Sequence, residues 1–317
     1  MIAAAREAFE RWLERRMPAS DTWTLTQRNL YIVPTRAGLA FAATLLAMLL
    51  ASINYQLNLG YVLTFLLAGA GLVSMHQTHG TLRGLTLHLK APRPGFAADA
   101  ATVEIVLTNP GRRPRHGIAL GWRRQGGVAW CDVDAGAQET VQLAFVPPRR
   151  GWHALPLVVV ETVFPLGLFR AWSVWRPAAR VLAWPRPETP APAVPAAAAQ
   201  PGEAAAPAAQ PAGQEFDGVR HYRRGDGLRQ IVWKKVAQTG ELVSRDGRGE
   251  GRREVWLDWA DTGGDTERRL SRLAAWVQAC EQAGRPWGLR LPGRELAPGG
   301  GDTQRRAALD LLAGWPG

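Results

Sequence analysis

The chain has 317 residues, a formal net charge of +11 and two cysteines, Cys131 and Cys280. The length suits two domains of ordinary size, and two distant cysteines outside any Cys-x-x-Cys or Cys/His cluster support neither a disulfide framework nor a structural zinc site. Arginine supplies nearly all the positive charge, since Lys90, Lys234 and Lys235 are the only lysines; such a balance favours acidic partners, although a GC-rich coding bias raises Arg, Ala, Gly and Pro together.

Residues 1–30 open with "AAAREAFERWLERRM", an amphipathic helical pattern with Phe9, Trp12 and Leu13 on one side and arginines elsewhere. That pattern suits an anionic membrane surface or the protein's own body. From Ala37 to Met75 there is no Asp, Glu, Lys or Arg. As one helix this run would be about 58 Å long, against a hydrocarbon core of about 30 Å, so it must fold in two. The polar cluster "NYQLN" at Asn54 to Asn58 is the natural break, leaving spans at Ala37–Ile53 and Leu59–Met75 within a hairpin over 31–78. Arg15, Arg16, Arg28 and Arg36 precede the hairpin and Arg83, Lys90 and Arg93 follow it. By the positive-inside rule, both ends and the main body face the cytoplasm of a bacterial inner membrane.

After the hairpin the pattern changes to period two. "LTLHLK", "VEIVLTNPG" and "VQLAFVP" alternate apolar and polar residues, and "ALPLVVVETVF" is a β-branched run. Short strands bounded by turns predict a small β-sandwich over 81–185, with its histidines scattered and no catalytic arrangement among them. Residues 187–214 are a Pro/Ala tract with no means of building a core, and are expected to be a disordered linker. Beyond it, "REVWLDW" and "PWGLRLPG" read as strands. "DTERRLSRLAAWVQACEQAG" reads as a helix with Leu270, Leu273, Val277 and Cys280 on one face, and "GDTQRRAALDLLAGW" as a helix capped by Asp302 or Thr303. Strand, helix, strand, helix predicts a parallel sheet with helices against it.

Between the tract and these elements lies the densest cluster of polar and aromatic residues, "EFDGVRHYRRGDGLRQIVWKK" at 215–235. Gly225 and Asp226 form a turn, Asp226 caps a helix running to Ala237, and "ELVSR" resumes a strand. Arg229 and Trp233 stand four apart on that helix, so a guanidinium can lie over the indole. The polar residues can therefore satisfy one another and lock a strand-turn-helix unit. As catalytic machinery the set is poor: His221 has no partnered nucleophile, and one carboxylate is not an acid/base pair. No GxxxxGK[ST] phosphate loop is present.

These residues carry a resemblance. Two N-terminal spans, "PLGLFRAW" near the end of the β-domain, and "FDGVRHYRRGDGLRQIVWKKVAQTGELVSR" resemble the bacterial "domain of unknown function 58" family over most of the chain. The matching positions are Gly218, Arg220, Tyr222, Gly225, Asp226, Arg229, Ile231, Trp233, Lys234 and Ala237; "PLGLF" at Pro165 to Phe169 has leucine where the family usually has phenylalanine, and Val232 stands where it often has a polar residue. The resemblance implies an α+β multidomain protein: a transmembrane hairpin, a β-sandwich, and, over 215–317, the signature motif with a von Willebrand factor A-like α/β domain. It also implies association with a MoxR-type AAA+ ATPase and a transglutaminase-like membrane protein. Some von Willebrand A domains bind Mg²⁺ through Asp-x-Ser-x-Ser, but here "LDWADTGG" offers Asp258 followed by Trp259, Ala260 and Asp261, which predicts a degenerate site holding no metal. The function expected is a non-enzymatic, membrane-anchored adaptor in cell-envelope or protein-assembly work, without a cofactor and without nucleic acid. The alternatives are a hydrolase-like enzyme using Arg220, His221 and Asp226, and a module for an anionic ligand or nucleic acid.

Overall fold

The computed structural model describes residues 17–123, 127–195, 219–221, 243–245 and 255–316. The amphipathic pattern over residues 1–16 and most of the Pro/Ala tract lie outside them. The chain divides into two compact units, residues up to Arg186 together with Ala313–Pro316, and residues from Pro187 to Leu312. Among the described residues the fold is α+β, with four α-helices and several sheets.

In the first unit, β1 (Thr22–Thr24), β3 (Thr86–Leu89), β5 (Ala101–Thr108) and β8 (Gln138–Phe145) form an antiparallel sheet in the order β1-β3-β5-β8. A second antiparallel sheet has the order β2-β11-β10-β6-β7, from β2 (Tyr31–Pro34), β6 (Arg115–Trp122), β7 (Val128–Val133), β10 (Val158–Thr162) and β11 (Phe169–Trp175). A small third sheet joins β4 (Gly95–Phe96), β12 (Arg180–Trp184) and β9 (Gly151–Ala154).

Alternation explains the layering. Along β5, Val103, Ile105 and Leu107 are buried, and on β8 Val141, Leu143 and Phe145 join them in one core with Ile118, Leu120, Val158, Val160 and Trp175 of the second sheet. Each such aliphatic side chain withdrawn from water contributes about 1.5–3 kcal/mol. Trp122 donates its indole N–H across the core to the Ala144 carbonyl of the facing sheet at 2.7 Å, and Trp175 donates to the Ser20 carbonyl at 2.7 Å. Two large indoles thus enter the core without an orphaned donor.

The sandwich reaches further back in the chain than the period-two pattern indicates. β1 and β2 precede the helical hairpin, in stretches the sequence assigns to the N-terminal segment and to the hairpin. Both form edge strands, with Thr22 opposite His88 and Tyr31 opposite Trp172. Leu25 and Leu30, between them, are buried in the core.

The hairpin consists of α1 (Arg36–Asn54), 19 residues long, and α2 (Asn58–Leu82), 25 residues long. It breaks within "NYQLN", as the hydropathy pattern predicts. α2 continues well past Met75, however, and its last turns are absorbed by the body: Thr78 and Leu82 are fully buried.

In the second unit, β15 (Val255–Asp258) runs parallel to β16 (Trp287–Leu291), with Val255 opposite Trp287. Between them in the chain, α3 (Thr266–Gln282) is capped by Asp265, whose carboxylate accepts from the Arg268 N–H. Leu270, Leu273, Val277 and Cys280 form its buried face, as their spacing predicts. α4 (Asp302–Ala313) buries Ala308, Leu309 and Leu312. The expected all-parallel sheet is corrected by β17 (Arg294–Gly299), which returns antiparallel to β16. Pro292 followed by Gly293 at φ +74° forms a tight reversal that leaves no room for a crossover.

Candidate functional site

Three places carry functional chemistry or a functional expectation, beginning with the hairpin. α1 and α2 are both long and apolar enough to cross a membrane. Burial separates them from the core helices of a soluble protein: only 11% and 17% of their most apolar windows are covered. Leu39, Leu46, Leu50, Val62, Phe65 and Leu66 are exposed along their outer faces. The inner faces are small and polar. Ser52, Thr64 and Thr78 each donate to the carbonyl four residues earlier, whereas the buried Ser74 hydroxyl has no partner; Gly60 lies beside Ser52 and Gly71 beside Phe41. Small residues at the contact, and hydroxyls such as Thr64 and Thr78 bonded within their own helix, suit helix pairing in lipid.

The base of the hairpin is tied to the sandwich. Thr35 caps α1 by accepting from the Gly38 N–H at 3.0 Å, and its hydroxyl donates to the Gly167 carbonyl at 2.6 Å. A side chain at Gly38 would begin 2.0 Å from the Leu168 carbonyl oxygen, so only glycine lets α1 seat there. Arg115 closes the other helix by donating to the Gly80 carbonyl.

The second place is the signature motif. β13 (Val219–His221) pairs antiparallel with β14 (Val243–Arg245), which sets Arg220 opposite Ser244 and His221 opposite Val243 in register. This is the strand expected to resume at "ELVSR". Gly218, Tyr222, Gly225, Asp226, Arg229, Ile231, Trp233, Lys234 and Ala237 lie outside the described residues.

The third is a hollow of about 480 Å³ at the end of β15, lined by Asp258, Arg290, Arg294 and Glu295 among others. Arg290 stacks over the Trp256 ring at 3.8 Å and lies 3.7 Å from the Glu295 carboxylate. One Asp258 oxygen accepts from the Ala260 N–H at 2.8 Å, and Thr262, the nearest hydroxyl in the motif, donates to the Trp259 carbonyl at 2.6 Å. Both groups are engaged in the turn itself, and among the described residues no three His, Cys, Asp or Glu gather to hold a metal ion.

Two features escaped the sequence reading. The strands bring His116 and Asp132 together at 3.0 Å, although the histidines look scattered along the chain. The Gly117 N–H, and after it the His116 ring, hold the Asp132 carboxyl below its ordinary range. The neighbouring thiol of Cys131 is pushed up to about 12, by burial first and then by Glu139 and Asp132. With the Gly117 N–H bond to Asp132 at 2.7 Å, the His116–Asp132 pair spans the irregular stretch of the β6–β7 register. The other feature is a recess of about 390 Å³ among Trp23, Arg28, Tyr31, Arg123 and Trp172. Its parts come from β1, β2, β11, the loop between β1 and β2 and the residue after β6, and only the register reveals it.

No protein-family model and no curated protein matches this chain.

Proposed function

We infer that the chain is a membrane-anchored adaptor, held in a bacterial inner membrane by α1 and α2 with its body and both termini in the cytoplasm, and that it works with a MoxR-type AAA+ ATPase in cell-envelope or protein-assembly processes. The observation that carries the anchor is the hairpin itself: two exposed apolar helices fused to a folded body through Thr35 and Leu82. Charge on both flanks and none in the connecting turn supports the orientation. The partner rests on the resemblance of the 218–237 motif to the domain-of-unknown-function 58 family. The β15-α3-β16 unit supports a von Willebrand factor A-like reading of the C-terminal part, with its metal site degenerate at Asp258.

The test is co-purification of the full chain with a MoxR-type ATPase from detergent extract, with and without ATP. Wild-type should retain the ATPase and lose it as salt rises, and Arg223→Glu with Arg224→Glu should weaken retention without unfolding the body. Full retention by the double reversal would show that Arg223 and Arg224, the basic pair of "HYRRGDG" proposed to meet an acidic face of the ATPase, are not the docking surface, and no retention by wild-type would remove the partner. Reporter fusions at residues 20 and 317 should both read as cytoplasmic.

A further inference from the structure

The "PLGLF" stretch plays no part in the function above, yet it stands where the hairpin meets the body. It closes the turn between β10 and β11, with the Gly167 N–H donating to the Val163 carbonyl at 2.8 Å. At its crest Val163, Phe164 and Leu166 are exposed, Leu166 at 58%. Leu168 touches the first turn of α1, where the uncharged run begins at Ala37: the Thr35 N–H donates to the Leu168 carbonyl at 2.9 Å, and Gly38 packs on that same carbonyl. The turn therefore lies level with the first apolar residues of the span.

The surroundings agree. Thr86 opposes Thr108, and Arg115 opposes Val133, so the residues before β3, after β5 and before β6 lie at this same end of the sandwich. They include Arg83, Arg112 and Arg113, and Arg36 opens α1. Of the carboxylates at this end, Asp132 is engaged by His116 and Glu161 by Arg170, while Asp134 and Glu139 are exposed. An apolar crest at an end of the sandwich that carries more arginines than free carboxylates suits the boundary between acyl chains and anionic headgroups. A cluster of exposed large apolar side chains marks an interaction surface, and this one is continuous with the lipid-facing hairpin.

We propose that Val163, Phe164 and Leu166 insert into the cytoplasmic leaflet beside α1, as a third point of attachment that fixes the sandwich against the bilayer. The inference rests on the membrane reading of the hairpin and adds to it. The test uses the full chain in nanodiscs containing anionic phospholipid, with Cys131→Ser and Cys280→Ala, and an environment-sensitive fluorophore on a single introduced cysteine. The positions are Leu166→Cys, Leu66→Cys as a span reference, and Asp99→Cys, which lies before β5 at the end remote from Thr108.

The label at 166 should emit to the blue of that at 99. It should be quenched by nitroxides borne on lipid near the headgroup, and spared by aqueous iodide. A label at 66 in lipid with that at 166 open to iodide would overturn the insertion alone. Labels at both positions open to iodide would overturn the membrane reading beneath it. A label at 166 shielded from both quenchers would mean that protein covers the crest, which also overturns the proposal. Should the cysteine-replaced chain misfold, wild-type protein in nanodiscs with a photoreactive phospholipid supplies the same decision. Adducts on residues 163–166 are expected, and adducts confined to the two helices would refute insertion.

Discussion

The two units achieve burial by opposite routes. In the first, strands far apart in sequence share a core: Thr22 pairs with His88 and Tyr31 with Trp172, with the whole hairpin between β2 and β3. In the second, β15, α3, β16 and β17 follow one another and pack as they come. The sandwich is thus bound to the hairpin by covalent topology and by the contacts of Thr35, Gly38 and Leu82. A disturbance at the hairpin end should reach every strand of the first core.

The largest expected effect comes from emptying each core in turn. Trp175→Ala and Trp287→Ala each remove a fully buried indole and should cost about 3–5 kcal/mol. Hydrogen exchange should then rise across β1, β2 and β11 in the first variant, and across β15, β16 and α3 in the second. If either variant loosens both sets, the contrast between the units fails.

Gly38→Ala sharpens the same contrast at the hairpin. The added methyl meets the Leu168 carbonyl, and displacing α1 or the loop should cost on the order of 1–3 kcal/mol. Thr35→Val, which removes the cap but keeps the shape, should cost about 1 kcal/mol. Exchange in β2 and β11 reads both changes, and α3 should not respond.

The smallest effect belongs to the second unit. Glu188 accepts from Arg272 at 2.9 and 3.2 Å, and this contact, with Arg268 nearby, holds its carboxyl below the ordinary value. Because the folded value is lowered, the stabilisation is fully present above the unfolded value of about 4.3 and is lost as pH falls through the folded one. Urea titrations from neutral to acid pH should show wild-type more stable than Glu188→Gln at neutrality, with the gap closing in acid. A gap that persists unchanged would assign the effect to lost packing.

What the sequence made legible follows the strength of its periodicities. An uncharged run longer than one span has to turn, and "NYQLN" is the only polar place to do it. Strict alternation in "VEIVLT" and "VQLAFV" exposes two core strands, and the helical face of Leu270, Leu273, Val277 and Cys280 is equally plain. β1 and β2 were hidden because strands of three and four residues carry almost no periodicity, and their partners lie beyond the hairpin. β17 was hidden by composition: "RELAPG" has little β-branching, and only the Pro292-Gly293 turn announces it. The His116–Asp132 pair and the Trp23 recess depend on register, which no local pattern encodes. Of the signature residues, Arg220 is placed on a strand opposite Ser244.

The order of strands also sets a timetable for synthesis. β1 and β2 leave the ribosome before the hairpin, yet β3 and β11 come after it. At roughly 5–20 residues per second, β2 waits on the order of ten seconds or more for its partner. During that interval α1 and α2 emerge whole, so the hairpin is complete while the sandwich still lacks the strands that would close it.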